Sequence, residues 1–259
     1  GYQIPSTYAE LIQTMKQIKK AGKLPIVFAD KDSWTIHQGW DAIDMSSRGS
    51  QDNLFQNVLN GTTVLYEDPI ALDSTRKFLE IRQYGQKQTI NTGYDEAVKK
   101  FAKGEAYMFL QGNWAYPIIK KINPYMDLLF MPFPTYNENQ ARVVVKIDAT
   151  LGVSASCKYP EAAGKFLDYV FSKNVSEYYA DQAGAYSCIK SVDVEDSYAK
   201  AFTDSIRSGE FFLEEFSYET EKSDAINALF QNFISSPQRD TEKSFLKELN
   251  DLLIQQKGD

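Results

Sequence analysis

Two residue types that build many metal sites and nucleophile systems are scarce in this chain, which has two cysteines and one histidine in 259 residues. A structural zinc site usually takes four cysteine or histidine ligands. A Ser-His-Asp or Cys-His arrangement would have only His37 available as its base. These shortages argue against a zinc-stabilised domain and against a hydrolase with a histidine-activated nucleophile.

Long apolar runs and clustered positive charge are also missing. Runs such as residues 128–133 fall far short of the roughly 18 apolar residues that a membrane-spanning helix needs. Lysine and arginine number 28 against 35 aspartate and glutamate residues, for a net charge of −7, and the basic residues are scattered. A nucleic-acid surface requires a basic stripe. We therefore expect neither a transmembrane segment nor a nucleic-acid partner.

The remaining composition is typical of a folded globular protein, with 43% hydrophobic and 24% charged residues. The length suits one large domain or two modest ones. Aromatic residues reach 14%, which supplies more flat, amphipathic surface than a core needs. Such surface suits a site that stacks on planar or sugar-like ligands.

Local patterns predict an α/β chain whose strands come early and whose helices close the sequence. Thr7 and Glu10 form a capping-box pattern ahead of a helix, and Pro69 and Pro160 fit the first position of two further helices. Further helices are predicted over residues 94–103 and 175–182. The predicted strands are residues 24–28, 106–110 and 128–134, with an extended stretch from Val143 and an almost wholly helical region from Ser197 onward.

Common catalytic and phosphate-binding motifs do not occur in the sequence, including G-x-G-x-x-G, the P-loop, H-E-x-x-H and G-x-S-x-G. The neighbouring carboxylates Asp41/Asp44 and Glu214/Glu215 fit solvated helix faces better than a catalytic pair. His37 has no companion histidine for a metal, so it fits a hydrogen-bonded structural or ligand-side group. The sequence thus predicts no enzyme.

Adjacent tyrosines and the two cysteines carry further alternatives. Tyr178 and Tyr179 are a pair of the kind found in ferric-ion-binding proteins, but their helical setting favours packing in the core. Cys157 and Cys188 could pair in an exported protein or remain buried thiols in a cytosolic one. The sequence favours neither state of the cysteines.

Two tryptophans stand directly after predicted strands. Trp34 follows the strand at residues 24–28 and its loop, and Trp114 follows the strand at residues 106–110 and the Gly112–Asn113 turn. Ligands of α/β proteins bind at the carboxyl ends of strands. We therefore predict that both indoles contact a ligand, with core packing as the alternative for each.

Several segments taken together resemble the extracellular solute-binding protein family 1, the maltose-binding-protein-like sugar-binding subunits of bacterial ABC importers. The segments are residues 5–11, 22–26, 33–34, 101–108 with 112–114, and 152–156 with 160–163. The most specific is the helix followed by G-E-A, a strand and G-x-W. Members from Gram-positive bacteria that take up raffinose or multiple sugars look most similar.

The resemblance implies an α/β fold of the class II periplasmic-binding-protein type, helix-rich with a small mixed sheet and representing mainly the C-terminal lobe. It places residues 1–145 in the first part of that lobe. Residues 146–191 would cross into an N-terminal lobe, most of which is expected to precede Gly1, and residues 192–259 would return as closing helices. One lobe alone is expected to bind sugar in the millimolar range at best.

The resemblance also implies a function, namely an extracellular, lipid-anchored, monomeric receptor that delivers an oligosaccharide to the permease of an ABC importer. No catalytic residue, cofactor or metal is expected. The ligand-binding residues that it implies are Trp34, Trp114, Asp32, His37, Asn113, Asp148 and Tyr186. The alternatives are a receptor for ferric ion or a polyamine on the same fold, and a carbohydrate-active hydrolase.

Overall fold

A computed structural model places eleven helices and four strands among the residues that it describes, with two short 3₁₀ turns at Leu65–Glu67 and Thr89–Asn91. It describes residues 2–49, 52–135, 141–146, 150–183, 185–190, 192, 200–214, 220–236 and 241–255. The elements are α1 (Tyr8–Lys20), β1 (Leu24–Val27), α2 (Trp34–Ser46), α3 (Leu54–Leu59), α4 (Pro69–Arg82), α5 (Tyr94–Ala102), β2 (Ala106–Phe109), α6 (Ala115–Ile122), β3 (Val143–Lys146), α7 (Pro160–Val170), α8 (Lys173–Ala183), α9 (Lys200–Ser208), β4 (Phe211–Glu214), α10 (Thr220–Ser235) and α11 (Glu242–Gln255).

The strands form two separate two-stranded sheets. β1 pairs with β2 so that Leu24 lies opposite Ala106, and β3 pairs with β4 so that Val143 lies opposite Phe211. Both pairings in the described part of the chain are parallel. The helix-rich α/β class is confirmed, while the small sheet that we expected to be mixed is parallel. Parallel pairing brings the carboxyl ends of β1 and β2, and the loops that follow them, to one edge.

Helix α1 begins as its sequence pattern predicts. The Thr7 hydroxyl accepts a hydrogen bond from the Glu10 backbone N–H, and the Glu10 carboxylate accepts one from the Thr7 backbone N–H. The reciprocal bonds satisfy two backbone donors at the start of the helix. After the helix, Gly22 takes a φ of 72°, which side chains other than hydrogen rarely allow, and the chain turns directly into β1.

The main core lies where α2, α4, α10 and α11 meet. Trp40, Phe78, Phe230 and Phe245 are all buried there, and the Phe230 and Phe245 rings pack edge to face at 4.9 Å. The Trp40 indole N–H donates to the hydroxyl of Thr75 over 3.0 Å, so the polar atom of the buried ring is satisfied. The closing helices therefore hold α2, the helix that begins with Trp34.

A buried ion network fixes the far end of α2. Arg48 contacts the Asp44 carboxylate through Nε at 2.5 Å and Nη2 at 2.9 Å, and it also reaches Asp52 and Asp68. Asp41 and Asp44 are buried, so our expectation of a solvated helix face was wrong. Both aspartates do lie on a helix, as predicted, but the arginine four residues beyond Asp44 lets its carboxylate be buried.

Three further predictions are corrected. Residues 128–134 form no strand, because Pro132 and Pro134 within this run have no N–H to donate to a neighbouring strand. The region predicted to be wholly helical contains β4, whose aromatic and branched residues suit pairing with β3. Tyr178 and Tyr179 are 68% and 58% exposed, because the inward face of α8 consists of the smaller Ser176 and Ala180.

Neither cysteine forms a disulfide. Cys157 and Cys188 are both free, the first half-buried and the second exposed. Within the described residues, no helix combines the length and the apolar character needed to cross a membrane.

Candidate functional site

Trp34 is the first residue of α2 and follows β1 after a short turn. The turn is fixed by the Thr35 hydroxyl, which donates to the carbonyl oxygens of Ala29 at 3.0 Å and Asp32 at 2.9 Å. The backbone N–H of Thr35 donates to Asp32 as well. Because these bonds connect the start of α2 to the end of β1, the Trp34 ring is held at the carboxyl end of the strand, where 37% of its surface is exposed.

Trp114 occupies the equivalent place after β2, as the residue that caps the start of α6. Its ring folds back over Gly112, so closely that a Cβ on Gly112 would lie 2.1 Å from the ring. The backbone N–H of Tyr116 donates to the Asn113 carbonyl over 3.0 Å and continues the turn into the helix. The glycine is thus required by the close approach of the indole.

The structure brings the two tryptophans together with a tyrosine. The Trp34 and Trp114 ring centroids lie 6.3 Å apart, and the Trp34 and Tyr94 centroids lie 5.3 Å apart. We call Trp34, Tyr94 and Trp114 the aromatic patch. Both indoles are more than one-third exposed, although rings of this size gain most by burial. An exposed cluster of flat apolar rings at the carboxyl ends of two parallel strands has the form of a stacking surface.

Tyr94 belongs to the patch, although its sequence pattern indicates only the start of a helix. Its hydroxyl is buried and has no well-aligned hydrogen-bond partner among the described residues. Burial, with a smaller contribution from Asp95, raises the pKa of Tyr94 to about 12. The nearby Trp114 side chain lowers the pKa of this hydroxyl, but only slightly. The phenol is therefore neutral, and its ring packs against Trp34.

Asp32 connects the loop after β1 to α5. Its Oδ2 accepts a hydrogen bond of 2.6 Å from the backbone N–H of Tyr94, the first residue of α5, and Gly93 leaves room for this carboxylate. A carboxylate at a helix start satisfies a free N–H and suits the helix dipole. Asp32 therefore positions Tyr94 beside Trp34.

His37 lies one turn into α2 and faces α10. Its Nδ1 lies 2.7 Å from the side-chain oxygen of Asn227, an arrangement in which a neutral imidazole donates through Nδ1. Burial lowers the pKa of His37, and the hydrogen bond to Asn227 opposes the shift only in part. The prediction of a hydrogen-bonded histidine is confirmed, with a partner on a closing helix.

Of the last three predicted site residues, the structure describes Asn113 and Tyr186. Asn113 lies within the turn that carries Trp114. Tyr186 stacks on Phe202 at 6.3 Å, and burial raises its pKa to about 12. Phe202 meets Phe130, which in turn contacts Tyr116 of α6, so rings link Tyr186 to the helix that follows Trp114. Asp148 lies outside the described residues.

The described side chains include no group of three or more histidine, cysteine, aspartate or glutamate residues placed to hold a metal ion. The tyrosines at 178 and 179 point to solvent on α8.

Comparison with known proteins gives both a family and a fold. Residues 1–176 match the family described as bacterial extracellular solute-binding protein. The multiple sugar-binding protein of Streptococcus mutans is 25% identical over 197 residues, which cover 74% of this chain and 47% of the relative. The chain thus spans about half the length of this relative.

Two solved structures share the fold. The solute-binding protein RafE in complex with raffinose has a TM-score of 0.76 and 23% identity, covering 98% of this chain and 67% of that one. A sugar transporter protein from Bacillus licheniformis in complex with stachyose has a TM-score of 0.74 and 17% identity, covering 96% and 67%. These similarities confirm the periplasmic-binding-protein-like α/β fold. With two-thirds of its length matched, the chain belongs to the bacterial extracellular solute-binding protein family.

Proposed function

We propose that this chain forms part of a non-enzymatic receptor that binds an oligosaccharide against the aromatic patch and delivers it to the permease of an ABC importer. The observation that carries the proposal is the pair of exposed indoles, 6.3 Å apart, that α2 and α6 present at the carboxyl ends of β1 and β2. Two flat rings at this separation can each contact one face of adjacent pyranose units.

Sugar chemistry fits this surface. A pyranose ring has an apolar C–H face that packs on an indole and a rim of hydroxyls that need donors and acceptors. Asn113 is adjacent to Trp114 in sequence, and the backbone of the turn offers further polar groups. We propose Asn113, His37, Tyr186 and Asp148 as the polar partners of the sugar, and Asp32 as a residue that contributes its second carboxylate oxygen.

A raffinose-type α-galactoside is the ligand that we propose within the oligosaccharide class. The similar solved structures are described with raffinose and with stachyose, and both sugars carry an α-galactosyl unit on a sucrose core. Two or three linked rings would span the pair of indoles. The multiple sugar-binding relative supports the broader class.

The exposed face of α7 supports the domain arrangement that we propose. None of the residues of α7 is buried, and Phe166 and Tyr169 are exposed on a helix that is apolar on one side. An open groove of about 310 Å³ runs between this helix and residues 151–157. A cluster of exposed apolar side chains on one helix is characteristic of a surface that meets a partner. We propose that residues 1–145 and 192–259 form one lobe. Residues 146–191, which lie between these two parts in the sequence, pack against a second lobe.

In such a receptor the sugar lies between two lobes, and their closure around it is the signal that the permease recognises. The second lobe would cover the face of the sugar that the aromatic patch leaves open. We propose a monomeric protein held at the outer cell surface by a lipid anchor.

A thermal-shift and calorimetric panel tests the proposal. Raffinose, stachyose, melibiose and maltose are added well above millimolar concentration, since a ligand at 100 times its dissociation constant raises the free energy of unfolding by about 2.7 kcal/mol. We expect the α-galactosides to raise the melting temperature without releasing monosaccharide. Trp114→Ala should abolish the shift, whereas Tyr125→Ala, at a 96% exposed ring, should keep it. Equal shifts in both variants, or sugar hydrolysis that scales with protein, would contradict the proposal.

A further inference from the structure

A small cavity lies at the carboxyl ends of β1 and β2, beside the segments that lead to Trp34 and Trp114. Its volume is about 10 Å³, and it is bounded by the end of β1 with Asp30, the start of α2 with Thr35 and Gly39, Arg82 of α4, and Gln111 after β2. A volume of roughly 10–15 Å³ is what one water molecule requires. The cavity therefore admits a single non-hydrogen atom and excludes a sugar ring.

Three polar atoms at this cavity are buried and have no hydrogen-bond partner among the described residues. They are Oδ2 of Asp30, Nη2 of Arg82 and Oε1 of Gln111. Asp30 is 1% exposed. Its other oxygen, Oδ1, forms an ion pair of 2.5 Å with Arg82 Nη2, but the contact lacks the alignment of a hydrogen bond. Buried polar groups without partners cost free energy, so the group that satisfies them belongs to the folded state.

The protein fixes the ion pair so that these atoms cannot easily turn elsewhere. The Arg82 guanidinium lies over the Phe28 ring at 4.5 Å and over the Phe78 ring at 4.6 Å. Rings on the guanidinium hold its plane through cation–π contact. The side-chain amide of Gln86 accepts a hydrogen bond from the Phe28 backbone N–H and donates one to the Phe28 carbonyl oxygen. These two bonds fix the backbone that carries the Phe28 ring. Asp30 and Arg82 are thus both held in the wall of the cavity.

The chemistry of the three atoms selects the occupant. Asp30 Oδ2 and Gln111 Oε1 are acceptors and need two donated protons, whereas Arg82 Nη2 carries two hydrogens, of which the ion pair with Asp30 Oδ1 takes only one. A metal cation would meet the arginine charge, and an anion would meet the carboxylate. A water molecule donates twice and accepts, so it matches all three atoms at once.

We propose that this cavity is a binding site for one ordered water molecule, held by Asp30, Arg82 and Gln111. The water joins the end of β1, α4 and the residue that precedes the Gly112–Trp114 turn. It thereby connects the two loops that carry Trp34 and Trp114 and helps to keep the two indoles at their observed separation.

A crystal structure of the protein, with two variants, tests the site. We expect an electron-density peak at hydrogen-bonding distance, about 2.7–3.2 Å, from the three named atoms. Gln111→Met keeps the side-chain length and removes one partner, so the peak should lose most of its occupancy. Gln38→Met is the matched control, because Gln38 also carries a buried side-chain oxygen without a partner but does not line this cavity. Its structure should retain the peak.

Two results would overturn the proposal. The first is an absence of density in the wild-type cavity with Asp30 and Gln111 turned toward other partners. The second is a peak of undiminished occupancy in Gln111→Met. Should Gln111→Met fail to fold, a water-to-protein nuclear Overhauser effect at the Gln111 side-chain amide of the wild-type protein decides the question, since a bound water gives a long-lived cross-peak and a dry cavity gives none.

Discussion

The close approach of Trp114 to Gly112 makes a single methyl group a sharp probe of the aromatic patch. A Cβ at position 112 would lie 2.1, 2.3 and 2.4 Å from three carbon atoms of the Trp114 ring. Carbon atoms in van der Waals contact lie about 3.5–4.0 Å apart. Gly112→Ala therefore requires the indole to move away by more than an ångström.

The expected effect on stability is small. Gly112 is not among the residues with positive φ, so alanine introduces no backbone strain there. Trp114 is 38% exposed and can swing toward solvent without leaving a cavity in the core. We expect the free energy of unfolding to change by less than about 1 kcal/mol, as is usual for surface substitutions away from packed interiors.

The effect on the site is expected to be larger. A displaced indole no longer pairs with Trp34, and a central aromatic anchor of a binding site contributes about 2 kcal/mol or more. Since 1.4 kcal/mol corresponds to a factor of ten in affinity, Gly112→Ala should weaken saccharide binding by more than tenfold. The variant should lose affinity almost as fully as Trp114→Ala.

Spectroscopy of the unliganded protein measures the displacement directly. We expect Gly112→Ala to reduce the near-ultraviolet circular dichroism of the coupled Trp34 and Trp114 indoles and to increase acrylamide quenching of tryptophan emission. Gly164→Ala on α7 is the control, because a Cβ there meets no atom within 4 Å. Unchanged dichroism and quenching in Gly112→Ala, with the fold intact, would refute the assigned position of the Trp114 ring.

Three further predictions concern stability. Burial lowers the pKa of His37 from 6.5, so the stability that its neutral form contributes is complete above about pH 6.5 and is lost as the pH falls through the lower pKa of the folded state. Urea unfolding should show this loss of stability at low pH in the wild-type protein and not in His37→Gln. Identical pH profiles of the two proteins would contradict the prediction. Arg48→Met leaves the Asp44 carboxylate buried and unpaired and should lower the free energy of unfolding by about 3–5 kcal/mol, whereas Arg76→Met, at an exposed side chain, should change it little. Asp32→Ala removes the cap of α5 and should cost about 1 kcal/mol by thermal unfolding, with Asp32→Asn restoring most of it.

The elements with local signals could be predicted from the sequence. The capping box at Thr7 and the prolines at the start of α4 and α7 are signals that involve only neighbouring residues. A helix begins at each of them in the structure. The strands at β1 and β2 were found because each is a short apolar run between polar segments. The positions of Trp34 and Trp114 after those strands followed from the same signals.

Features that depend on distant partners could not be predicted. The buried Arg48 guanidinium also binds Asp68, which lies 20 residues away in the sequence, and β4 exists because β3 lies beside it. Tyr94 joins the aromatic patch because the Asp32 carboxylate holds the start of α5, a contact across 62 residues. A glycine before an aromatic in the G-x-W turn was the one local signal for the close packing of Trp114.

The central claim, that sugar binds against the aromatic patch, is tested most directly by the indole N–H resonances of the three tryptophans. Trp40 is fully buried, and its N–H is bound to Thr75, so it serves as an internal control. On titration with raffinose or stachyose, we predict that the Trp34 and Trp114 signals shift along a saturable curve while the Trp40 signal stays in place. Saturable binding of either sugar that leaves the Trp34 and Trp114 signals unmoved would contradict the account.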